Sequence, residues 1–270
     1  MATNTTSSRT VRYGNAVEGF LALPEDPGPH PCVILLHERY GLVQHTLDLA
    51  ARFARDGYVC LAPNLYSRFD NQAALARGEI QVPLPDPQVT DDLNASIAYL
   101  QREPAADTGR LALMGVCLSG RWPLVAAAQR DDVAACLVFY GAVQPNGWEV
   151  NANQPEPLEA LMARVRCPVL GIFGEGDHVI PLDYVRRFRD VLEQHHKSYD
   201  VRLFAHVPHG WLNDTMPGRY RPAEAEAAWR IMLDFLARVW DGGYPADRVR
   251  WHFESDVAAD YDPRRNVRLE

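Results

Sequence analysis

The run GRLALMGVCLSGRWPLVAAAQ, residues 109–129, sets Cys117 between Gly115 and Gly120, where a strand-like stretch meets a helix-like one. A thiol that merely fills a core needs no glycines beside it. A thiol carried on a sharp strand-to-helix turn does, because the turn crowds backbone where a side chain would otherwise sit. The same turn places sulfur near a helix N-terminus, which favours a thiolate. Most free cysteines are small buried hydrophobes, and Cys32, Cys60, Cys136 and Cys167, in or beside apolar runs, are read that way. Ser119 does not fit the frame, since the residues two away from it are Cys117 and Arg121.

Two further side chains complete a nucleophilic set. Asp177 follows the apolar run in GIFGEGDHVIP, with Glu175 as its rival. His209 lies in LFAHVPHGWLND, held between Pro208 and Gly210, while its competitor His206 belongs to the end of the strand. Taken singly, Asp177 reads as a turn or N-cap residue and His209 as a structural histidine. Taken together, nucleophile, acid and histidine occur in the chain order of α/β-hydrolases, each after a successive strand. His209 would pair with the thiol and return a proton to the leaving group, and Asp177 would fix the histidine tautomer. An oxyanion would rest on the backbone N–H of Leu118 and on one from the loop after CVILLHE, assigned to Arg39.

Glu38 ends a buried strand beside this expected site, where an unpaired carboxylate would be costly. Arg68, in PNLYSRFD, lies after another strand at the same sheet edge. Sequence alone leaves two readings open: a structural or solvated pair, or a carboxylate-binding arginine beside a second acid–base group.

The elements that must position these residues are legible from periodicity. TVRYGNAVEGFLALPE reads as a hairpin turning at Gly14-Asn15. Residues 44–57 carry a helical stripe that stops at Gly57. Buried strands are expected at CVILLHE, YVCLAP, RLALMG, AACLVFYG and PVLGIFGEGD, with another at YDVRLFAH. Helices are expected at 88–102, from about 119, at 181–195 and at 222–240. Strands alternating with helices imply an α/β fold with a mostly parallel sheet covered on both faces, whose sites form beyond the carboxyl ends of the strands.

The 270 residues, 47% of them hydrophobic, suffice for one substantial core. A formal net charge of −8 with no Lys/Arg block argues against a nucleic-acid surface. The polar start MATNTTSSRT lacks a signal-peptide core, and no run approaches the roughly 18 apolar residues of a membrane span. Five scattered cysteines without a CxxC pair suit a reduced compartment, so a cytoplasmic location is expected.

With these residues in place, the chain resembles the dienelactone hydrolase family of α/β-hydrolases over roughly residues 10–240. GVCLSG resembles the family's GYCLGG elbow, HERYGL its Glu-bearing loop and APNLYSR its PDLYAR segment. GEGDHVIP and HGWLND are similar to its aspartate and histidine loops. The resemblance implies a Cys117–Asp177–His209 triad, with Glu38 taking the thiol proton once substrate binds and Arg68 holding a substrate carboxylate. It also implies hydrolysis of a small lactone or ester, typically a carboxylated butenolide, through a thioester and without metal or cofactor. A monomer or homodimer is expected, and the charge and hydropathy noted above argue against a nucleic-acid or membrane partner.

Three features depart from the family pattern or extend beyond it. Asn213 stands where the best-studied type has a second carboxylate-binding arginine, and Met216 where many relatives have arginine; Arg219 or Arg221 is left to replace the charge. Tyr40, Trp122 and Trp211 beside the motifs suggest an aromatic-lined pocket, or else core packing. Residues 1–241 form the expected hydrolase domain. Residues 242–270 form an extension whose Trp251, Phe253 and Tyr261 suggest packing on the body or on a second subunit. A catalytically silent binding relative and an acyltransferase with the same triad are the alternative functions.

Overall fold

Val33 to Leu36, Val59 to Pro63 and Ala135 to Phe139 are buried at every position, and the reason is architectural. Their strands lie in the middle of a sheet with helices on both faces, so neither face of the pleat meets water. The computed structural model describes residues 5–257. In chain order it runs β1 (Thr6–Tyr13), β2 (Val17–Pro24), β3 (His30–Leu36), α1 (Gln44–Arg55), β4 (Val59–Pro63), α2 (Gln72–Ala76) and α3 (Asp86–Leu100). It continues through β5 (Ala106–Val116), a 3-10 turn (Cys117–Arg121), α4 (Trp122–Ala127), β6 (Ala135–Phe139), a 3-10 turn at Pro145–Trp148 and α5 (Leu158–Arg164). β7 (Val169–Gly176), α6 (Leu182–Gln194), β8 (Tyr199–Pro208), α7 (Pro222–Trp240) and β9 (Trp251–Ser255) complete it.

The strands form one sheet in the order β1-β2-β4-β3-β5-β6-β7-β8-β9. β1 and β2 make an antiparallel hairpin in which Tyr13 pairs with Val17, so the turn spans Gly14, Asn15 and Ala16. From β4 to β9 all pairings are parallel. Helices α1 and α7 cover one face, where Phe53 and Trp229 pack 4.6 Å apart. Helices α3 to α6 cover the other. Each such buried aromatic contributes about 1.5–3 kcal/mol relative to exposure, which is what seats the helices.

The chain leaves β3 for its β4 neighbour over one face, then returns to β3's other side as β5 over the opposite face. This reversal opens a crevice at the carboxyl ends of β3 and β5, the position expected for a ligand site. Glu38 and Cys117 sit at its two lips.

One expectation changes. The helix expected from about residue 119 starts as the 3-10 turn and becomes α-helical only at Trp122. The described part of the expected 242–270 extension packs on the hydrolase body, one of the two arrangements its aromatic residues suggest: β9 adds a parallel strand to β8, pairing Tyr199 with Trp251 and Leu203 with Ser255. Phe253 packs on the core beneath the Arg189 guanidinium; Tyr261 lies outside the described residues. Among the described residues no helix is long and apolar enough to cross a membrane.

Candidate active site

Cys117 has φ 56, in the left-handed region that L-residues avoid. The neighbouring glycines explain how the turn tolerates it. A Cβ on Gly115 would overlap the Ser119 carbonyl, and one on Gly120 would come 2.7 Å from Gly141 Cα. Ser119, fully buried, fastens the turn: its Oγ accepts from the Val116 N–H at 2.8 Å and donates to the Leu36 carbonyl at 2.8 Å. The elbow is thereby tied to the end of β3, and Ser119 has a structural occupation.

The half-buried Cys117 Sγ lies 3.0 Å from His209 Nε2, and His209 Nδ1 lies 2.8 Å from Asp177 Oδ2. Asp177 Oδ1 accepts from the Val179 and Ile180 N–H groups at 2.7 and 3.0 Å, which orients the carboxylate toward the ring. Burial alone would push the His209 imidazole down, but its bonds to Asp177 and Cys117, with their charges, raise it to about 10. His206, by contrast, is 91% exposed and pairs with Glu175 at 3.1 Å. Both rivals face each other outside the triad.

Glu38 is buried and held from two sides. The Tyr140 hydroxyl donates to its Oε1 at 3.3 Å and Asn213 Nδ2 donates to its Oε2 at 2.5 Å. Asn213 is itself oriented, its Oδ1 accepting from the Thr215 N–H and hydroxyl at 3.1 and 2.6 Å. Burial, reinforced by Glu38, pushes the Tyr140 hydroxyl well above its ordinary value, so it remains a donor. The adjacent His37 is buried and pushed down to about 4; its Nδ1–H donates to the Glu38 carbonyl and its Nε2 accepts from the Leu65 N–H. This neutral ring links the Glu38 loop to the loop after β4.

A cavity of about 250 Å³ opens onto Cys117, with Glu38, Arg39, Tyr40, Leu118 and His209 in its wall. Tyr140, His178, Gln144, Gln81, Val179 and Arg219 complete it. Among these, Tyr140, Gln144, Gln81, His178 and Val179 escape the motif reading. Tyr140 had a usable signal, being a polar-tipped residue directly after the apolar run of β6.

Three expected substrate contacts are not there. Arg68 makes a bidentate pair with Asp92, at 3.0 and 2.7 Å, and donates to the Asn15 carbonyl at 3.1 Å. It lines a separate surface depression with Gln88 and Asp91. The reason is that Asp92 on α3 has a side chain only 1% exposed and requires a counter-charge. Trp122 is core: its Nε1 donates to Asp86 Oδ1 at 3.0 Å, alongside the buried Arg121–Asp86 pair. Trp211 is fully buried among Phe139, Tyr140 and Phe204. Of the three aromatic residues only Tyr40 faces the cavity. The remaining cysteines do not reach it, and Cys136 and Cys167 lie against each other, 3.6 Å apart.

The model of the dienelactone hydrolase family matches residues 17–240. A Methylorubrum extorquens protein bearing the name carboxymethylenebutenolidase is 30% identical over 225 residues, covering 82% of this chain and 76% of that protein. A Bradyrhizobium protein bearing the name 2-oxo-3-(5-oxofuran-2-ylidene)propanoate lactonase is 29% identical over 244 residues, 87% of this chain and 96% of its own. Among solved structures, a Klebsiella pneumoniae protein named for dienelactone hydrolase superposes with a TM-score of 0.78 at 27% identity, covering 87% of this chain and all of that one.

Proposed function

Because the chain belongs to the dienelactone hydrolase family and is a carboxylic ester hydrolase, we propose that it opens a small lactone or ester through an acyl-thioester on Cys117. The observation that carries the reading is the unbroken line from Cys117 Sγ to His209 Nε2, and from His209 Nδ1 to Asp177 Oδ2, at 3.0 and 2.8 Å.

At rest His209, held protonated by Asp177 and facing the sulfur, makes Cys117 the nucleophile. Sulfur attacks the acyl carbon, and the backbone N–H groups of Leu118 and Arg39 receive the carbonyl oxygen as it gains charge. The C–O bond then breaks, and His209 gives its proton to the departing alkoxide, which in a lactone stays tethered as a hydroxyl. Neutral His209 next takes a proton from water, whose oxygen displaces the thioester sulfur and restores the pair. Glu38 makes no hydrogen bond with Cys117 and is occupied by Tyr140 and Asn213. To serve as the thiol's proton acceptor it would have to leave one of those donors. His209 is therefore assigned that step.

The test is turnover of a panel of lactones and aryl esters, with the acyl-enzyme trapped by acid quench and located by mass spectrometry. A peptide containing acylated Cys117 is the expected product. Turnover by the Cys117→Ala protein at the wild-type rate would exclude the thioester route, and wild-type protein inert on the whole panel would favour a silent binding relative. Ester exchange with added alcohols in preference to hydrolysis would identify a transferase.

A further inference from the structure

We propose that Cys136 and Cys167 form a redox-active dithiol, oxidised reversibly by a hydroperoxide to a disulfide. The bond ties β6 to the entry of β7 and stabilises the fold.

The two sulfurs are free thiols 3.6 Å apart, brought together from positions 31 apart in the chain. Cys136 lies near the start of β6, paired with Val169 of β7, and its N–H donates to the Pro168 carbonyl at 3.1 Å. Cys167 immediately precedes Pro168, so both thiols hang from one short piece of sheet. A disulfide holds its sulfurs about 2.05 Å apart, which leaves roughly 1.5 Å to close by side-chain rotation.

The other thiols are placed differently. Cys32 and Cys60 stand on neighbouring strands but pack on opposite faces of the sheet, so they cannot meet. Burial pushes the Cys32 thiol up to about 12. Cys117 lies beyond the carboxyl end of β5, whereas Cys136 and Cys167 sit at the amino ends of β6 and β7, the opposite edge of the sheet.

The settings of the two sulfurs order the chemistry. Cys136 is fully buried and its S–H donates to the Pro123 carbonyl at 3.3 Å. Burial, reinforced by Cys167, pushes this thiol well above its ordinary value, so it keeps its proton. Cys167 is half-buried, and the Lys197 ammonium lies near enough to feel its charge. Partly exposed sulfurs beside cations are the ones that oxidise. Cys167 therefore meets the peroxide first. Its sulfur attacks one peroxide oxygen, the O–O bond breaks, and a sulfenic acid forms while the thiol proton leaves in water. The Cys136 sulfur then displaces the sulfenic hydroxyl, which departs with the Cys136 proton as a second water. Two thiols thus give two electrons to one hydrogen peroxide, and a dithiol reductant returns them.

The bond closes a segment that holds the Pro145–Trp148 turn, α5 and the cavity residues Tyr140 and Gln144. Tying its ends restricts the unfolded chain far more than the folded one, where the ends already touch.

The experiment treats the full chain with hydrogen peroxide, alkylates remaining thiols in denaturant and maps the peptides without reductant. A peptide pair joined through Cys136 and Cys167 is expected, lost on adding dithiothreitol, with Cys32 and Cys60 fully alkylated. In Cys136→Ser, dimedone should capture a sulfenic acid at Cys167; in Cys167→Ser, Cys136 should remain an alkylatable thiol. Melting is followed in Cys117→Ala, where oxidation of the nucleophile cannot intervene. Its oxidised form should melt at least about 4 °C above its reduced form. Cys136 recovered as a free thiol from peroxide-treated wild type, or a cross-link that leaves the melting midpoint unmoved, overturns the proposal. The wild-type peptide map decides the cross-link even where a serine variant fails to fold.

Discussion

Asn213 Nδ2 donates to Glu38 Oε2 at 2.5 Å, joining residues 175 positions apart in the chain. The bond closes the loop after β8 onto the carboxyl end of β3 and holds a buried carboxylate with a neutral donor. The cavity is thus shaped by a side-chain amide where the sequence pattern suggests a substrate-binding position.

That bond predicts a stability cost. Asn213→Ala strips one of the two donors from a buried carboxylate, a loss expected to be about 1–3 kcal/mol. Glu38→Gln in the same background should return part of it, since a neutral amide tolerates the gap better. Urea melts of the two single variants and the double variant measure the coupling; additive losses would mean the contact contributes nothing.

The raised His209 value predicts a pH dependence with a definite sign. The folded protein holds the imidazolium more tightly than the unfolded chain, about 10 against 6.5. Its contribution to stability is therefore fully present below pH 6.5 and is lost as pH rises through about 10. Wild-type protein should lose more unfolding free energy between neutral and alkaline pH than His209→Gln does. Parallel curves for the two proteins would contradict the assignment.

The same pair predicts the reactivity of Cys117. An ordinary thiol, with a pKa near 8.5, loses alkylation rate about tenfold per pH unit below that value. Cys117, half-buried with its sulfur 3.0 Å from His209 Nε2, should be alkylated faster at neutral pH in wild type than in His209→Gln. Iodoacetamide labelling followed by peptide mass spectrometry reads this directly.

Turnover separates the two histidines of the β8 loop. His209→Gln should lower kcat at least about a hundredfold, the lower range for removed acid–base catalysis. His206→Gln should change it little, because that ring is solvated and its partner is Glu175.

Arg68→Met predicts damage to the fold and not to substrate choice. It leaves Asp92, whose side chain is 1% exposed, without its cation, although the 36% exposure of Arg68 lets water soften the loss. A destabilisation of about 1–3 kcal/mol is expected, largely recovered in the Arg68→Met/Asp92→Asn pair. An unchanged melting midpoint in the single variant would show the ion pair to be idle.

The parts of this protein that its sequence determined are those decided within a few residues. Glycines flanking Cys117 require the elbow, continuous apolar runs require strands buried on both faces, and His209 between Pro208 and Gly210 requires a tight loop. Each is enforced by backbone sterics or hydrophobic periodicity, so the spacing alone exposes it. The chain order of Cys117, Asp177 and His209 then places all three at one sheet edge. What tertiary structure decided is which distant group meets which polar tip. Asp92 claims Arg68 across 24 positions, Asn213 claims Glu38 across 175, and Phe204 and Phe139 enclose Trp211. No local pattern encodes these choices, because a buried charge or ring is satisfied by whatever neighbour the packing of helices on the sheet delivers. The last strand, β9, became legible only once β8 offered it an edge to pair with.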